Sequence, residues 1–217
     1  MKKIILTVLA ASIIAAGAFA QSGTIRELTG EVEIKREGAA SFRAASAGDT
    51  VAANTIISTG FRSTAVIAIG SSLITVRPLT RLSLAEIQTM ENTENTSINL
   101  QAGRVRVEVN PPAGTRANLS VQSPSTTASV RGTSFEMDTD NLTVVTGKVI
   151  YAGASGPAAM VTAGNSSLVS SSGTAADPVE VAVLSLTPPS PVSVSSGDFT
   201  TPIPEAASTG IKVFVKY

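Results

Sequence analysis

Residues 102–107, Ala-Gly-Arg-Val-Arg-Val, join a glycine turn to an alternation of charged and apolar side chains. Glycine tolerates the backbone angles of tight turns, and an alternation with a period of two is typical of a strand with one buried face. Similar phrases occur at residues 29–34, Thr-Gly-Glu-Val-Glu-Ile, and 146–151, Thr-Gly-Lys-Val-Ile-Tyr. Their irregular spacing indicates one recurring local design rather than a countable solenoid repeat.

The intervals between these copies carry further short runs with the signature of strands. Residues 65–69 and 73–76 are predicted to pair as a hairpin. Residues 77–84 resume the alternation, residues 91–96 are predicted to form a polar turn, and the Pro-containing residues 110–114 end a strand. Such a succession of short strands and glycine turns predicts an all-β fold, either a wound β-roll or a sandwich.

The core is predicted to be aliphatic, because the 217-residue chain contains no Trp, two Tyr and six Phe. The abundance of Val, Ile and Thr favours strands over helices. The alternation predicts a set of inward-facing residues. This set includes Val32, Ile34, Phe42, Ile56, Val66, Ile74, Leu82, Val105, Val107, Val121, Phe135, Val144, Val149 and Tyr151.

The absence of two residue types restricts the chemistry of this chain. It contains no His and no Cys, which excludes a Ser-His-Asp triad, a Cys nucleophile and the usual zinc and haem ligand sets. A carboxylate-based enzyme is a lower-ranked alternative, but Glu31, Glu33, Glu108 and Glu136 alternate with apolar residues and are predicted to face solvent. We therefore predict a protein that is not an enzyme and has no cofactor.

Residues 138–141, Asp-Thr-Asp-Asn, have the oxygen-rich composition of a calcium loop. They lack the later ligands, including the bidentate Glu, that such a loop needs. Because they separate two strand-like runs, they are predicted to form a hairpin turn rather than a metal site.

The charge balance gives no indication of a nucleic-acid partner. The chain has 16 basic and 16 acidic side chains, and loss of Lys2 and Lys3 with a leader would make it slightly acidic. Without a basic excess, neither nucleic acid nor an anionic membrane surface is an expected partner.

Residues 1–20 have the three parts of a secretory signal peptide: a basic start, an aliphatic stretch over residues 4–17, and Ala-Phe-Ala before Gln21. The aliphatic stretch is shorter than the roughly 20 residues of a membrane span, so a cleaved leader is favoured over an uncleaved anchor. We predict cleavage after Ala20 and a periplasmic or secreted protein without stable membrane insertion.

A change in composition divides the remaining chain. Residues 24–173 are predicted to form one β domain, and residues 174–217 a Pro/Ser-rich C-terminal β appendage. The appendage carries two strand candidates, at residues 179–184 and 211–217, separated by Pro-containing segments. Regular apolar alternation in both candidates favours a small β structure over a pure linker.

Several motifs follow one another in a colinear order that covers more than half of the chain. They occupy residues 29–32, 48–49, 56–60, 63–67, 103–107, 129–137 and 146–149. This ordered series resembles the FecR domain, an all-β module of bacterial envelopes, and the resemblance implies a wound β-roll. The positions that carry the resemblance are Gly30, Gly60, Gly103, Arg131, Gly132, Thr133, Phe135 and Gly147.

Residues 131–133, Arg-Gly-Thr, have two interpretations. As a corner, Gly132 supplies a backbone conformation that other residues disfavour, and Arg131 pairs with a nearby carboxylate. As a self-processing site, the Thr133 hydroxyl attacks the carbonyl of Gly132, a reaction that the resemblance implies because some membrane-bound FecR-like regulators cut themselves at a Gly-Thr bond. The absence of His and Cys favours the corner.

Two features differ from the family's best-known setting, in which a FecR domain is the periplasmic part of a transmembrane regulator that controls a sigma factor. The predicted signal peptide and the lack of a cytoplasmic segment do not favour such direct control. In addition, Phe42 stands where the family usually has Trp, which implies that an aromatic ring still fills the roll with less buried area.

These observations lead to a ranked set of functional hypotheses. The first is an exported FecR-domain binding module whose partner is an envelope protein or an envelope polymer. The alternative is a structural or adhesive surface protein in which the roll acts as a spacer. A carboxylate-based enzyme ranks below both.

Overall fold

The computed structural model describes residues 22–178, which form seventeen β-strands. The predicted signal peptide and both strand candidates of the C-terminal appendage lie outside the described residues. Across the described range, no helix has the length and apolar character needed to cross a bilayer. In chain order the strands are β1 (Gly23–Thr29), β2 (Val32–Lys35), β3 (Arg43–Ala44), β4 (Thr50–Val51), β5 (Ile56–Thr59), β6 (Thr64–Ile69), β7 (Ser72–Val76), β8 (Arg81–Met90), β9 (Thr93–Ala102), β10 (Arg104–Val109), β11 (Arg116–Gln122), β12 (Thr126–Arg131), β13 (Ser134–Asp138), β14 (Asn141–Thr146), β15 (Lys148–Gly153), β16 (Ala159–Thr162) and β17 (Ser166–Leu168).

The strands form two large sheets between which the chain passes repeatedly. The eight-stranded sheet has the order β17-β14-β13-β10-β7-β6-β1-β4, and the nine-stranded sheet has the order β16-β15-β12-β11-β9-β8-β5-β2-β3. From β6 onwards, hairpins or single strands are added to the two sheets in turn. Strands β9 and β11 pair in parallel because β10 crosses to the other sheet between them. The predicted all-β fold is confirmed.

The two sheets share one aliphatic core. The inward residues of the three glycine-turn and strand segments, residues 29–34, 102–107 and 146–151, are at most 3% exposed, as the alternation predicted. These residues are Val32, Ile34, Val105, Val107, Val149 and Tyr151. The predicted burial of Ile74, Leu82, Val121, Phe135 and Val144 is also confirmed.

The predicted face is wrong at Ile56 and Val66, which are only half-buried. Their neighbours Ile57 and Ile67 are fully buried instead, and Ile67 is the register partner of Ile74 on the adjacent strand. Both errors fall in runs of consecutive apolar residues, where alternation does not distinguish the two faces. Strand pairing decides the face, since a shift of one residue exchanges the two sides of a strand.

Phe42 does not fill the roll, contrary to the prediction. The ring is half-buried and lies immediately before the edge strand β3. The guanidinium carbon of Arg81 lies 5.4 Å from the ring centroid, a cation–π geometry that suits a partly exposed aromatic ring.

Two predicted segment boundaries also need correction. The turn expected at residues 91–96 is confined to Glu91 and Asn92, which adopt positive φ values of 49° and 37°. The polar residues that follow extend β9 because β8 and β11 flank this strand and satisfy its backbone hydrogen bonds. The strand expected from residue 77 begins at Arg81, since Leu79 has a φ of 56°.

Gly103 forms a corner against the side chain of Thr80. Its φ is 89°, and a Cβ at this position would lie 2.5 Å from the Cα of Thr80. The Oγ1 of buried Thr80 accepts a 3.0 Å hydrogen bond from the backbone N–H of Arg104. Glycine is therefore required both by the backbone conformation and by the close approach of a neighbouring chain segment.

The first and third glycine phrases repeat this arrangement with one difference. Gly30 packs on Ser63, whose Oγ accepts a 2.8 Å hydrogen bond from the N–H of Glu31. Gly147 packs on Thr133, and a Cβ there would lie 2.6 Å from Thr133 Cγ2. The buried Thr133 hydroxyl, however, has no hydrogen-bond partner among the described residues.

Candidate functional site

An open groove of about 810 Å³ crosses the outer face of the nine-stranded sheet. Its lining residues come from β8, β9, β11, β12, β15 and β16. Most of these side chains point outward because alternate residues of the same strands, such as Ile98 and Val121, are buried in the core. The groove is therefore built from the strand faces that the core does not use.

Small polar side chains in register form the floor of the groove. Asn118 on β11 pairs with Asn95 on β9, and its Nδ2 donates a 2.9 Å hydrogen bond to Asn95 Oδ1. Ser97 and Ser120 form the next outward pair, with hydroxyl oxygens 3.3 Å apart. Ser129 continues this row on β12 as the register partner of Ser120. The floor is polar, uncharged and held in place by its own hydrogen bonds.

Two large aliphatic side chains form a ledge along one side of the groove. Ile150 on β15 and Met160 on β16 are register partners and are 52% and 58% exposed. Single exposed apolar residues are common on protein surfaces, but these two are adjacent and both line the groove. We call Ile150 and Met160 the apolar ledge.

Arg131 and Lys148 add a concentration of positive charge beside the apolar ledge. Because Val130 pairs with Val149 in antiparallel register, the next residues outward, Arg131 and Lys148, are cross-strand neighbours. Both are exposed and line the groove. We call them the basic pair.

No carboxylate within residues 22–178 lies within 4 Å of either member of the basic pair. The predicted ion pair of Arg131 is therefore not formed within the described residues. The reason lies in the register: Arg131 is opposite Asn118 on β11, and Lys148 is opposite Thr162 on β16. The nearest acid in the groove lining is Glu86 on β8, whose register partner is Ser97.

On the outer face of the eight-stranded sheet, the two arginines of β10 form ion pairs. Arg104 Nη2 lies 3.2 Å from Asp138 Oδ2, and Arg106 Nε lies 2.9 Å from Glu108 Oε1. Burial favours a higher pKa for Asp138, but hydrogen bonds from two backbone amides and from Arg104 outweigh it and hold the pKa below its usual value. The arginines of β10 are thus ion-paired on this face, whereas the basic pair has no ion pair among the described residues.

Residues 138–141 form the predicted hairpin turn between β13 and β14. The Oδ1 of Asp138 accepts hydrogen bonds of 3.0 and 2.8 Å from the backbone N–H groups of Asp140 and Asn141. The Asp138 carboxylate thus stabilises the turn. Across residues 22–178, no group of three or more acidic side chains is arranged to hold a metal ion.

The segment Arg131–Gly132–Thr133 forms a corner at one end of the groove. Gly132 has a φ of 64°, while Thr133 is buried and Arg131 is exposed. The hydroxyls of Thr133 and Ser134 are both buried without a hydrogen-bond partner among the described residues. No described side chain is therefore placed to take a proton from Thr133, which is consistent with the corner interpretation.

The remaining positions that carry the resemblance lie at turns and in the core rather than in one site. The backbone N–H of Gly60 donates a 2.9 Å hydrogen bond to the carbonyl of Glu31. Phe135 is fully buried and pairs with Val107 and Val144 on the flanking strands. Of the motif positions, Arg131 alone lines the groove.

Part of the groove has a local signal in the sequence. Asn118 and Ser120 on β11 alternate with apolar residues, and Asn95 and Ser97 on β9 flank the buried Thr96. Small uncharged outward residues on two strands indicate a shallow surface. Their meeting depends on the parallel pairing of β9 with β11, which local sequence does not show.

Comparison with known proteins agrees with the fold. Residues 55–150 match the family model described as FecR protein. The two sheets extend beyond the matched residues at both ends. No curated protein sequence matches the chain.

Two solved structures also match, both described as a "putative anti-sigma factor" from Parabacteroides distasonis, at 1.65 and 2.50 Å resolution. Each is 15% identical to this chain, with a TM-score of 0.45. The matches cover 59% and 58% of this chain and 63% and 62% of the solved chains. The chain thus spans less than two thirds of the proteins that it matches.

Proposed function

We propose that this protein is an exported, non-enzymatic FecR-domain binding module of the bacterial periplasm or cell surface. Its partner is an envelope protein or polymer, and the binding surface is the groove on the nine-stranded sheet. The observation that carries the proposal is the groove itself, where the basic pair and the apolar ledge lie side by side without partners within the described residues. Adjacent unsatisfied charge and exposed apolar area are typical of interaction surfaces.

The disposition of the acids supports binding over carboxylate chemistry. Glu108 and Glu136 face solvent on the eight-stranded sheet, where they form ion pairs with Arg106 and Arg77 at 2.9 and 3.2 Å. Within residues 22–178, the acid that lines the groove is Glu86. A pair of opposed carboxylates, which glycoside hydrolysis requires, is therefore not a feature of the groove.

A capture experiment with a matched pair of variants tests this proposal. Ser120→Trp places a bulky ring on the groove floor, and Thr143→Trp places the same ring on exposed strand β14 of the other sheet. The chain from Gln21, immobilised and exposed to cell-envelope extract, is expected to retain a stoichiometric partner that Ser120→Trp loses and Thr143→Trp keeps. Equal capture by both variants would contradict the assignment of the groove. Retention by isolated cell-wall fractions that Ser120→Trp does not reduce would favour the structural or adhesive alternative.

A further inference from the structure

We propose that the groove binds an extended acidic peptide segment in which an apolar side chain lies close to a carboxylate. This inference rests on the proposed function and specifies its ligand. The juxtaposition that carries it is the basic pair beside the apolar ledge, with Lys148 and Ile150 two residues apart on the same face of β15. Such residues are about 7 Å apart along a strand, so neighbouring side chains of one peptide can reach both.

The charges of the basic pair indicate a negatively charged ligand. Like charges directly opposite each other on neighbouring strands destabilise a sheet, yet Arg131 and Lys148 occupy such positions without a carboxylate from the described chain. A ligand carboxylate placed between them would accept charge-assisted hydrogen bonds from both side chains. Glu86 on β8 lines the groove away from the basic pair and would repel a second acid there.

The apolar ledge distinguishes a peptide from an anionic polymer. A polyanionic glycan would use the basic pair but would leave Ile150 and Met160 exposed. A peptide with an aliphatic residue near its carboxylate would cover the ledge, and Met adapts readily to partner side chains. Arg and Met are also enriched at protein–protein interfaces. Among the described residues, no aromatic ring lines the groove to stack on a sugar.

The dimensions of the groove set the length of the peptide. The groove spans six adjacent strands, and neighbouring strands are about 4.8 Å apart, which gives a width of roughly 24 Å. An extended peptide rises about 3.3 Å per residue, so about seven residues cross the sheet. The Asn and Ser side chains of the floor can exchange their mutual hydrogen bonds for bonds to the peptide backbone.

Fluorescence anisotropy with defined probes tests the inference. The probe is fluorescein-labelled Ser-Glu-Leu-Ser-Glu-Leu-Ser, and the comparison peptides replace Glu by Lys or Leu by Ser. We expect Arg131→Gln with Lys148→Gln to weaken binding of the acidic probe by about tenfold or more, because the charge-assisted contacts of both side chains are lost. Arg26→Gln is the matched control, because Arg26 is an exposed strand arginine on β1 without an ion pair among the described residues.

The remaining outcomes separate the possible ligands. Met160→Ser is expected to weaken the Leu-containing probe severalfold and to leave the probe without Leu unchanged. Equal binding of the Lys probe, an equal loss in Arg26→Gln, or heparin binding that depends on both the basic pair and Met160 would overturn the peptide assignment. If the acidic probe does not bind but Ser120→Trp still abolishes envelope capture, the ligand class is wrong and the proposed function stands. If both experiments fail, the groove is not the binding surface.

Discussion

The phenol of Tyr151 donates a 2.7 Å hydrogen bond to the backbone carbonyl oxygen of Asp140. Tyr151 is fully buried on β15 of the nine-stranded sheet, whereas Asp140 lies in the turn between β13 and β14 of the other sheet. The bond therefore connects the two sheets through the largest side chain of the core. Burial raises the pKa of this phenol to about 12.

Tyr151→Phe tests the energetic contribution of this bond. The substitution keeps the ring in the core but leaves the Asp140 carbonyl without this donor, which costs about 1–2 kcal/mol. Tyr151→Ala also creates a cavity and is expected to cost about 3–5 kcal/mol. Denaturant unfolding measures both values, and a Phe variant as stable as the wild type would contradict the structural role of the hydroxyl.

The raised pKa of Tyr151 predicts a loss of stability at alkaline pH. An unfolded tyrosine ionises near pH 10, whereas folded Tyr151 stays neutral up to about pH 12. The contribution of this group is therefore fully present below pH 10 and declines as the pH rises from 10 to 12. In a Tyr217→Phe background, Tyr151 is the remaining tyrosine, and its ultraviolet titration reports this pKa directly. A folded-state midpoint near 10 would contradict the burial of the phenol.

The two faces of β10 respond differently to a negative charge. Val107 is fully buried between Ile74 and Phe135, so Val107→Asp is expected to cost more than about 3 kcal/mol by burying an unpaired carboxylate. Arg106→Asp removes a half-exposed ion pair with Glu108 and is expected to cost about 1 kcal/mol or less. Equal effects on the unfolding midpoint would mean that the strand faces are reversed.

Because the buried Thr133 hydroxyl has no hydrogen-bond partner among the described residues, its removal is expected to be tolerated. Thr133→Val keeps the side-chain shape and removes a buried group without a hydrogen-bond partner, so stability is expected to stay the same or rise slightly. The matched control is Thr80→Val, which removes the acceptor of the Arg104 N–H at the equivalent corner and is expected to cost about 1–3 kcal/mol. Comparable losses in the two variants would show that the Thr133 hydroxyl has a partner.

Mass spectrometry of the wild type after long incubation tests the self-processing alternative at the same position. We expect one full-length chain. Two fragments that meet at Gly132–Thr133, absent in Thr133→Ala and retained in Thr133→Ser, would establish self-processing, because Ser keeps the nucleophile.

The leader prediction is tested in cells. Export is expected to yield a mature protein that begins at Gln21, because residues 18–20 form the small-x-small pattern before it. Intact-mass measurement of protein from the periplasmic and culture fractions checks the cleavage position. A retained Met1, or protein confined to the membrane pellet, would contradict the predicted leader.

The sequence alone determined the fold class and most of the core. The glycine phrases carry their information locally, because a turn residue and a period of two decide where a strand starts and which side is apolar. That is why Val32, Val105 and Val149 were assigned correctly. Where apolar residues follow one another, as at Val66 and Ile67, the local pattern is the same on both faces and does not predict which one is buried.

Tertiary structure alone decided the candidate site. Asn95 and Asn118 meet because β9 and β11 pair in parallel across a crossover, and Arg131 and Lys148 become neighbours through the register of β12 with β15. These contacts depend on strand order and register, which are properties of the whole sheet. A sequence specifies the alternation within each strand, but the packing of both sheets on one core selects which outward side chains share a surface.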